Sequence, residues 1–371
     1  MIFRSTYKRP ILIAGNGTRA AGAAELLQKF YEKTKIPVLT SMNAVDLMQD
    51  SDKLGFIGVY GNRVANMILK ECDVVISVGA RLGLRQIGNK PEYFAPKADL
   101  IRVDIDEYEL CRFVKENEKK YLMDAKAFFE KLLEENIPRY DDWNRRCHEA
   151  KDILSSFDKE LGNHCIEKIS SLLPPNPVVA IDVGQNQCWS AQSLCLKGQK
   201  GRILIGGGYG SMGCGLPYAI GASYANNKGT VYCITGDGGL QMNIQELQVV
   251  ASEKLPIKIL VLNNKALGKI SEIQAGTFGG RYSITNSASG YTVPDFSKVA
   301  AAYEIKSKTI DSYNDLDLCS EWLYDNEPCL INISMPEDTL LIPKMNWNEK
   351  DMMPLLDENT YNKITKILTE E

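Results

Sequence analysis

Short apolar runs alternate with longer stretches of helical spacing along nearly the whole chain. The run PILIAG at 10–15 ends in glycine, and TRAAGAAELLQKFYEKT at 18–34 follows with helical periodicity. IPVLT at 36–40 predicts a strand, RVANMILKEC at 63–72 a helix, and DVVISVG at 73–79 and ADLIRVDID at 98–106 two more strands. Strands that are apolar throughout, separated by amphipathic helices, predict a parallel sheet covered on both faces. The pattern changes over about 112–160, which is charged, helical and poor in glycine. It predicts a last helix of one domain and then a connector with a solvated face, punctuated by Pro138.

A second alternating set follows. NHCIEKISSLL at 163–173 predicts a helix and PVVAIDVG at 177–184 a strand. Residues 202–226 read as strand, glycine-rich turn and helix. TVYCITGDGG at 230–239 is a strand and turn, NIQELQVVASEKL at 243–255 a helix, and IKILVLNN at 257–264 a strand. DFSKVAAAY and CLINISM close the set. The predicted fold class is α/β, with two tandem doubly wound parallel-sheet domains. The expected boundaries are 1–135 for the first domain, 136–160 for a helical connector, and 161–371 for the second domain with a C-terminal tail.

Composition narrows the function classes. A chain of 371 residues with 44% apolar and 24% charged residues reads as a globular two-domain protein. The net charge of −4 and the lack of a basic tract argue against nucleic acid as a partner. The apolar runs are too short for a membrane span or a signal peptide, which predicts a cytoplasmic protein. Ten cysteines without a CxxC pair read as reduced thiols rather than a zinc site. With only His148 and His164 present, a histidine-based mechanism is not expected.

The chemistry concentrates at the end of the strand TVYCIT. Asp237 stands there among Gly236, Gly238 and Gly239, where bare backbone lets a ligand approach closely. Asn243 and Glu246 read as a helix N-cap and capping box, with Ile244, Leu247, Val250, Ala251 and Leu255 forming the apolar stripe. The next strand ends at Asn263-Asn264. A right-handed strand-helix-strand unit puts both strand ends at one edge, so Asp237 and Asn264 can meet. A carboxylate, an amide oxygen and backbone carbonyls are hard ligands that suit Mg²⁺ or Ca²⁺, and glycine turns offer N–H groups to phosphate. The plain alternative is a strand-turn-helix with a solvent-facing Asp237.

The ordered motifs DVGQNQCWSAQ, GGGYGSMGCGLPYAIGASYAN, GDGGLQMNIQEL, LPIKILVLNNKALG and GRYS resemble the acetolactate synthase-like thiamine diphosphate enzymes. The stretch from RPILIAGNGTRAAGA through GARLGLRQIGN and VDID is similar to that family's middle domain. The resemblance implies thiamine diphosphate and Mg²⁺ as cofactors. Asp237 and Asn264 would bind the ion through side chains and Ala266 through its carbonyl. Val183, Gly184, Gln185, Asn186, Gly236, Gly238 and Gly239 would line the diphosphate, with Leu267 and Gly268 completing the cofactor set. Asn186 stands where family members often have histidine, and Gly239 replaces a common serine. Met212 would prop thiamine into its bent form, unless it is a plain core residue, and the Gly210 carbonyl would accept from the aminopyrimidine. These two are the residues expected to act in catalysis.

The turn GNGTRAAG, with Gly15, Gly17 and Ala20, satisfies only a weak dinucleotide pattern, because IPVLTSMNA supplies no acidic residue after the next strand. Some family members bind FAD in this domain. Arg81 and Arg85 match positions that approach it, but Tyr60 stands where those members often have histidine, which tilts the reading against FAD.

The resemblance also implies a domain not recognisable in these residues, which carries the activating glutamate and binds the pyrimidine. The expectation is a separate polypeptide partner, a small 2-oxo acid such as pyruvate as donor, and a homo- or hetero-oligomer. Ile273 and Lys269 replace the tryptophan and methionine usual in branched-chain enzymes. The rival is a catalytically inactive truncated homologue that binds or assembles.

Overall fold

The computed structural model of the chain describes residues 6–116, 118–346 and 349–370. The chain divides into two compact units. One runs through Lys159 and takes in the chain from Ile342 onward; the other is Glu160–Leu341.

The first unit is built on five parallel strands: β1 (Pro10–Ala14), β2 (Val38–Thr40), β3 (Val74–Val78), β4 (Asp99–Asp104) and β5 (Glu118–Leu122), in the order β2-β1-β3-β4-β5. Every residue of β1, β2 and β3 is buried. That is why these strands read as unbroken apolar runs rather than alternating ones. The helix Ala24–Thr34 shows how the sheet is covered. Leu27, Phe30, Tyr31 and Thr34 recur at helical spacing and face the core. The helix stops at Lys35, whose φ of 53° is left-handed.

The charged stretch from 115 onward departs from expectation twice. It begins with β5, an edge strand of sequence EKKYL, whose charges mask the strand signal. Glu118 on β5 meets the buried Arg102 of β4 at 3.0 Å. The expected connector carries the helix Asp141–Leu154, which is not merely a solvated face. Trp143, Cys147, Ala150 and Leu154 join the first core, and the Trp143 indole donates to the Pro10 carbonyl at 3.0 Å. The tail, grouped from sequence with the second domain, packs in the first unit instead. Ile364 and Leu368 of the helix Glu358–Thr369 are fully buried in that core, and Arg63 donates to the Met352 carbonyl at 2.8 Å.

The second unit carries six parallel strands: β6 (Val178–Ile181), β7 (Arg202–Ile205), β8 (Val231–Gly236), β9 (Ile257–Asn263), β10 (Lys306–Ile310) and β11 (Cys329–Ser334). Their order is β10-β11-β9-β8-β6-β7. β10 was not legible from its polar sequence KSKTI, which forms a sheet edge. β9 is buried along all seven residues. Two doubly wound parallel-sheet α/β units are therefore present. Among the described residues no helix is long and apolar enough to cross a membrane.

Candidate functional site

The strand order places β9, β8, β6 and β7 side by side, so the loops after their C-terminal ends share one edge. Open α/β sheets bind ligands at this edge. Gly184 precedes the helix Gln185–Ser193, Gly236 precedes Asp237–Met242, and Leu267 precedes Gly268–Thr277. Three helix N-termini thus lie at one sheet edge, which favours an anion.

Asp237 is the first residue after β8 and is 1% exposed. One carboxylate oxygen, Oδ1, accepts from the Tyr291 hydroxyl at 2.8 Å; Oδ2 accepts from the Lys265 N–H at 2.7 Å. Burial pushes its pKa up to about 6, opposed by the bonds from Tyr291 and the N–H groups of Lys265, Gly238 and Ala266. Among the described residues no cation is paired with this carboxylate. A buried carboxylate facing no positive charge is the setting that a divalent cation would relieve. The β9 end reaches it through the turn at Lys265, whose φ of 53° is left-handed. The structure thus brings Asp237 against the 264–266 segment, as the strand-helix-strand argument requires. Among the described residues no group of three or more His, Cys, Asp or Glu side chains is arranged to hold a metal. A set of one carboxylate, one amide and one carbonyl is not of that kind.

Asn264 is buried and its Nδ2 donates to Gln185 Oε1 at 3.2 Å. Asn186 is also buried, and its Nδ2 donates to the Asp182 carbonyl at 2.9 Å. That bond leaves Asn186 Oδ1 beside two glycines. A Cβ built on Gly184 would lie 2.4 Å from it, and one on Gly236 3.4 Å. Gly184 has a φ of 143°, which also disfavours a side chain. Val183 donates its N–H to Asp182 Oδ1 at 2.7 Å.

Met212, half-buried in the turn after β7, meets the β8 loop. A Cβ on Gly238 would lie 3.2 Å from the Met212 methyl, 3.1 Å from the Tyr291 hydroxyl and 2.5 Å from Leu267 Cδ2. Met212, Leu267 and Tyr291 therefore crowd over Gly238. Gly210 precedes this turn with a φ of 67°.

Three participants escaped the sequence reading. Asp182, at the β6 end, is 1% exposed and ties the loops together. Its Oδ1 accepts from Gly213 at 3.0 Å as well as from Val183, and its Oδ2 accepts from the Thr235 hydroxyl at 3.1 Å. Burial raises its pKa, and these bonds oppose the shift. Its signal was available, since an acidic residue ending an apolar strand is anomalous. Tyr291 and Glu272 gave no such signal, because their partners lie far away in sequence. Asn243 corrects the capping expectation. It makes no cap bond, and its Nδ2 donates instead to the Gly213 carbonyl at 2.8 Å. The helical segment begins earlier, at Asp237, so Asn243 falls at a break within it. The apolar stripe is as expected, with Leu247, Val250 and Leu255 buried.

In the first unit, the glycine turn has a packing reason. A Cβ on Gly15 would lie 1.9 Å from the Gly79 carbonyl oxygen, and one on Gly17 2.7 Å from Gly79 Cα. Close approach of the β1 and β3 ends accounts for both glycines. Arg81 pairs with Glu109 at 2.7 Å, and Asp106 caps the helix Glu107–Cys111.

Comparison with known proteins bears on this arrangement. Residues 182–333 match the C-terminal TPP binding domain of thiamine pyrophosphate enzymes, and residues 5–132 match the central domain of those enzymes. The chain is 34% identical over 346 residues to a probable acetolactate synthase large subunit of Methanocaldococcus jannaschii, covering 88% of this chain and 57% of that protein. It is 33% identical over 350 residues to the acetolactate synthase large subunit of Lactococcus lactis, covering 91% and 60%. It is 32% identical over 338 residues to the acetolactate synthase isozyme 2 large subunit of Escherichia coli, covering 89% and 60%. The chain spans about 60% of the length of these curated relatives.

Proposed function

Since the chain belongs to the thiamine pyrophosphate enzyme family, with acetolactate synthase large subunits as relatives, we propose that its second unit anchors thiamine diphosphate through Mg²⁺. The observation that carries this reading is Asp237, a buried carboxylate without a cation, clasped against the Asn264–Ala266 segment at a glycine-lined sheet edge. Asp237, Asn264 and the Ala266 carbonyl would hold the ion. Val183, Gly184, Gln185, Asn186, Gly236, Gly238, Gly239, Leu267 and Gly268 would surround the diphosphate with bare backbone and helix N-termini. Met212 would support the ring system, and the Gly210 carbonyl would accept a hydrogen bond from its amino group.

Thiamine diphosphate supplies an electron sink for cleaving the bond beside a 2-oxo group. The chain's own residues bind and orient it. We assign the protein as the cofactor-anchoring component of a 2-oxo acid decarboxylase or acyl-transferring enzyme, with pyruvate as donor. The activating glutamate would come from a pyrimidine-binding domain on a separate polypeptide. Exposed apolar side chains support a covering partner: Tyr209, Ile270, Ile273 and Phe278 are all exposed in the second unit. Ile270 and Ile273 lie on the helix Gly268–Thr277, directly after the metal-binding segment.

Titration calorimetry with thiamine diphosphate, with and without Mg²⁺, tests the assignment. Binding that requires Mg²⁺ and is lost in Asp237→Ala supports it. Unchanged Mg²⁺-dependent binding in that variant would remove Asp237 from the site. Robust 2-oxo acid turnover by this polypeptide alone would exclude the partner.

A further inference from the structure

Gln185 belongs to the segment expected to line the diphosphate, yet the polar atoms of its side chain are committed elsewhere. It is 6% exposed. Its Nε2 donates to Glu272 Oε1 at 2.6 Å and to the Thr339 carbonyl at 3.0 Å. Its Oε1 accepts from Asn264 Nδ2 at 3.2 Å. Glu272 Oε1 also accepts the Leu341 N–H at 3.0 Å.

The direction of every bond in this chain is forced. The Thr339 carbonyl can only accept, and Glu272 Oε1, which also takes the Leu341 N–H, accepts as well. Gln185 must therefore turn its NH₂ toward them and its oxygen toward Asn264. Asn264 must then present its own NH₂ to that oxygen. Its Oδ1 lies on the opposite side of the amide, and among the described residues no donor is paired with it. Flipping either amide alone would oppose like atoms in a buried site and leave buried polar groups without partners. Gly268 leaves room for the arrangement, since a Cβ there would lie 2.0 Å from Gln185 Oε1.

We propose that Glu272 and Gln185 are positioning residues that set the polarity of Asn264, so that its oxygen, not its nitrogen, is offered to the divalent cation. The identity of that cation rests on the thiamine diphosphate reading; the polarity of the amides does not. The Gln185 side chain then acts through Asn264, while its backbone N–H remains at the helix N-terminus for phosphate.

The test compares Gln185→Met, Glu272→Leu and Glu272→Gln with the unaltered protein. Mg²⁺ is titrated at fixed thiamine diphosphate, and binding is followed by calorimetry. Gln185→Met and Glu272→Leu should weaken the Mg²⁺ dependence by roughly 10–100-fold, whereas Glu272→Gln, which keeps an acceptor, should stay within about threefold. Wild-type affinity in Gln185→Met, or equal loss in Glu272→Leu and Glu272→Gln, would overturn the proposal. A second measurement needs no cofactor. The Asn264 side-chain amide protons should exchange slowly by NMR, and should lose that protection in Gln185→Met. Equal protection in both proteins would also overturn it. If the unaltered protein binds no thiamine diphosphate, the functional assignment fails, and the exchange result still decides the polarity.

Discussion

The hydroxyl of Tyr291 donates to Asp237 Oδ1 at 2.8 Å, although 54 positions separate the two residues. The same hydroxyl accepts from Gln241 Nε2 at 3.3 Å. Tyr291 thus steadies a buried carboxylate that faces no cation. Tyr291→Phe should lower stability without Mg²⁺ by about 1.5–3 kcal/mol, the range for a bond to a charged acceptor. With Mg²⁺ and thiamine diphosphate bound, the deficit should shrink, because the ion then balances the carboxylate. Chemical denaturation under both conditions checks this. An equal deficit in both would separate Tyr291 from the metal site.

The raised pKa of Asp237 sets a pH signature. Burial lifts it from 3.8 to about 6 in the folded chain. A folded value above the unfolded one means that the folded state holds the proton more tightly between them. Its contribution to stability is full below pH 4 and is lost as pH rises through 6. In protein stripped of divalent cations, this group should cost up to about 3 kcal/mol by neutral pH. Asp237→Asn should remove that slope in urea titrations between pH 4 and 7. A slope unchanged by the substitution would refute the assignment.

Asp182 accepts from the N–H groups of Val183, Gly213 and Gly215 and from the Thr235 hydroxyl on β8. Asp182→Asn turns an NH₂ toward at least one of those donors. It should destabilise the protein by roughly 1–3 kcal/mol, since a buried donor loses its acceptor. Because Gly213 follows Met212, the same variant should weaken thiamine diphosphate binding. Full stability in thermal denaturation would show that the loops are held by other means.

Gly239 stands where serine is common in the resembling enzymes. In this chain a Cβ there would lie 2.6 Å from Asp182 Oδ2 and 3.0 Å from the Thr235 hydroxyl. Gly239→Ser should therefore cost about 1–3 kcal/mol by overpacking. A melting temperature at or above the parent value would show that Asp182 can give way.

Most of the architecture was legible in sequence because its signals are local. Fully buried strands such as PILIA and IKILVLN must be apolar, and helices such as Ala24–Thr34 must repeat apolar residues at their own pitch. The glycines around Asp237 and the pair Asn263-Asn264 were legible for the same reason, since each sits at a strand end marked by its neighbours. The edge strands β5 and β10 were not, because solvent on one side permits EKKYL and KSKTI. The place of the tail was not legible either. Ile364 and Leu368 declare an apolar face, but a face alone does not name the core it joins.

The sequence by itself determined two parallel α/β units and put a carboxylate and an amide at the ends of adjacent strands. Only the tertiary structure decided how those groups are presented. It set Tyr291 against Asp237, Asp182 against Gly213 and Thr235, and Gln185 with Glu272 behind Asn264. The reason is physical. Apolar periodicity acts over a few residues and survives in any register of the alphabet, whereas hydrogen-bond polarity depends on which donor folding brings within 3 Å of which acceptor.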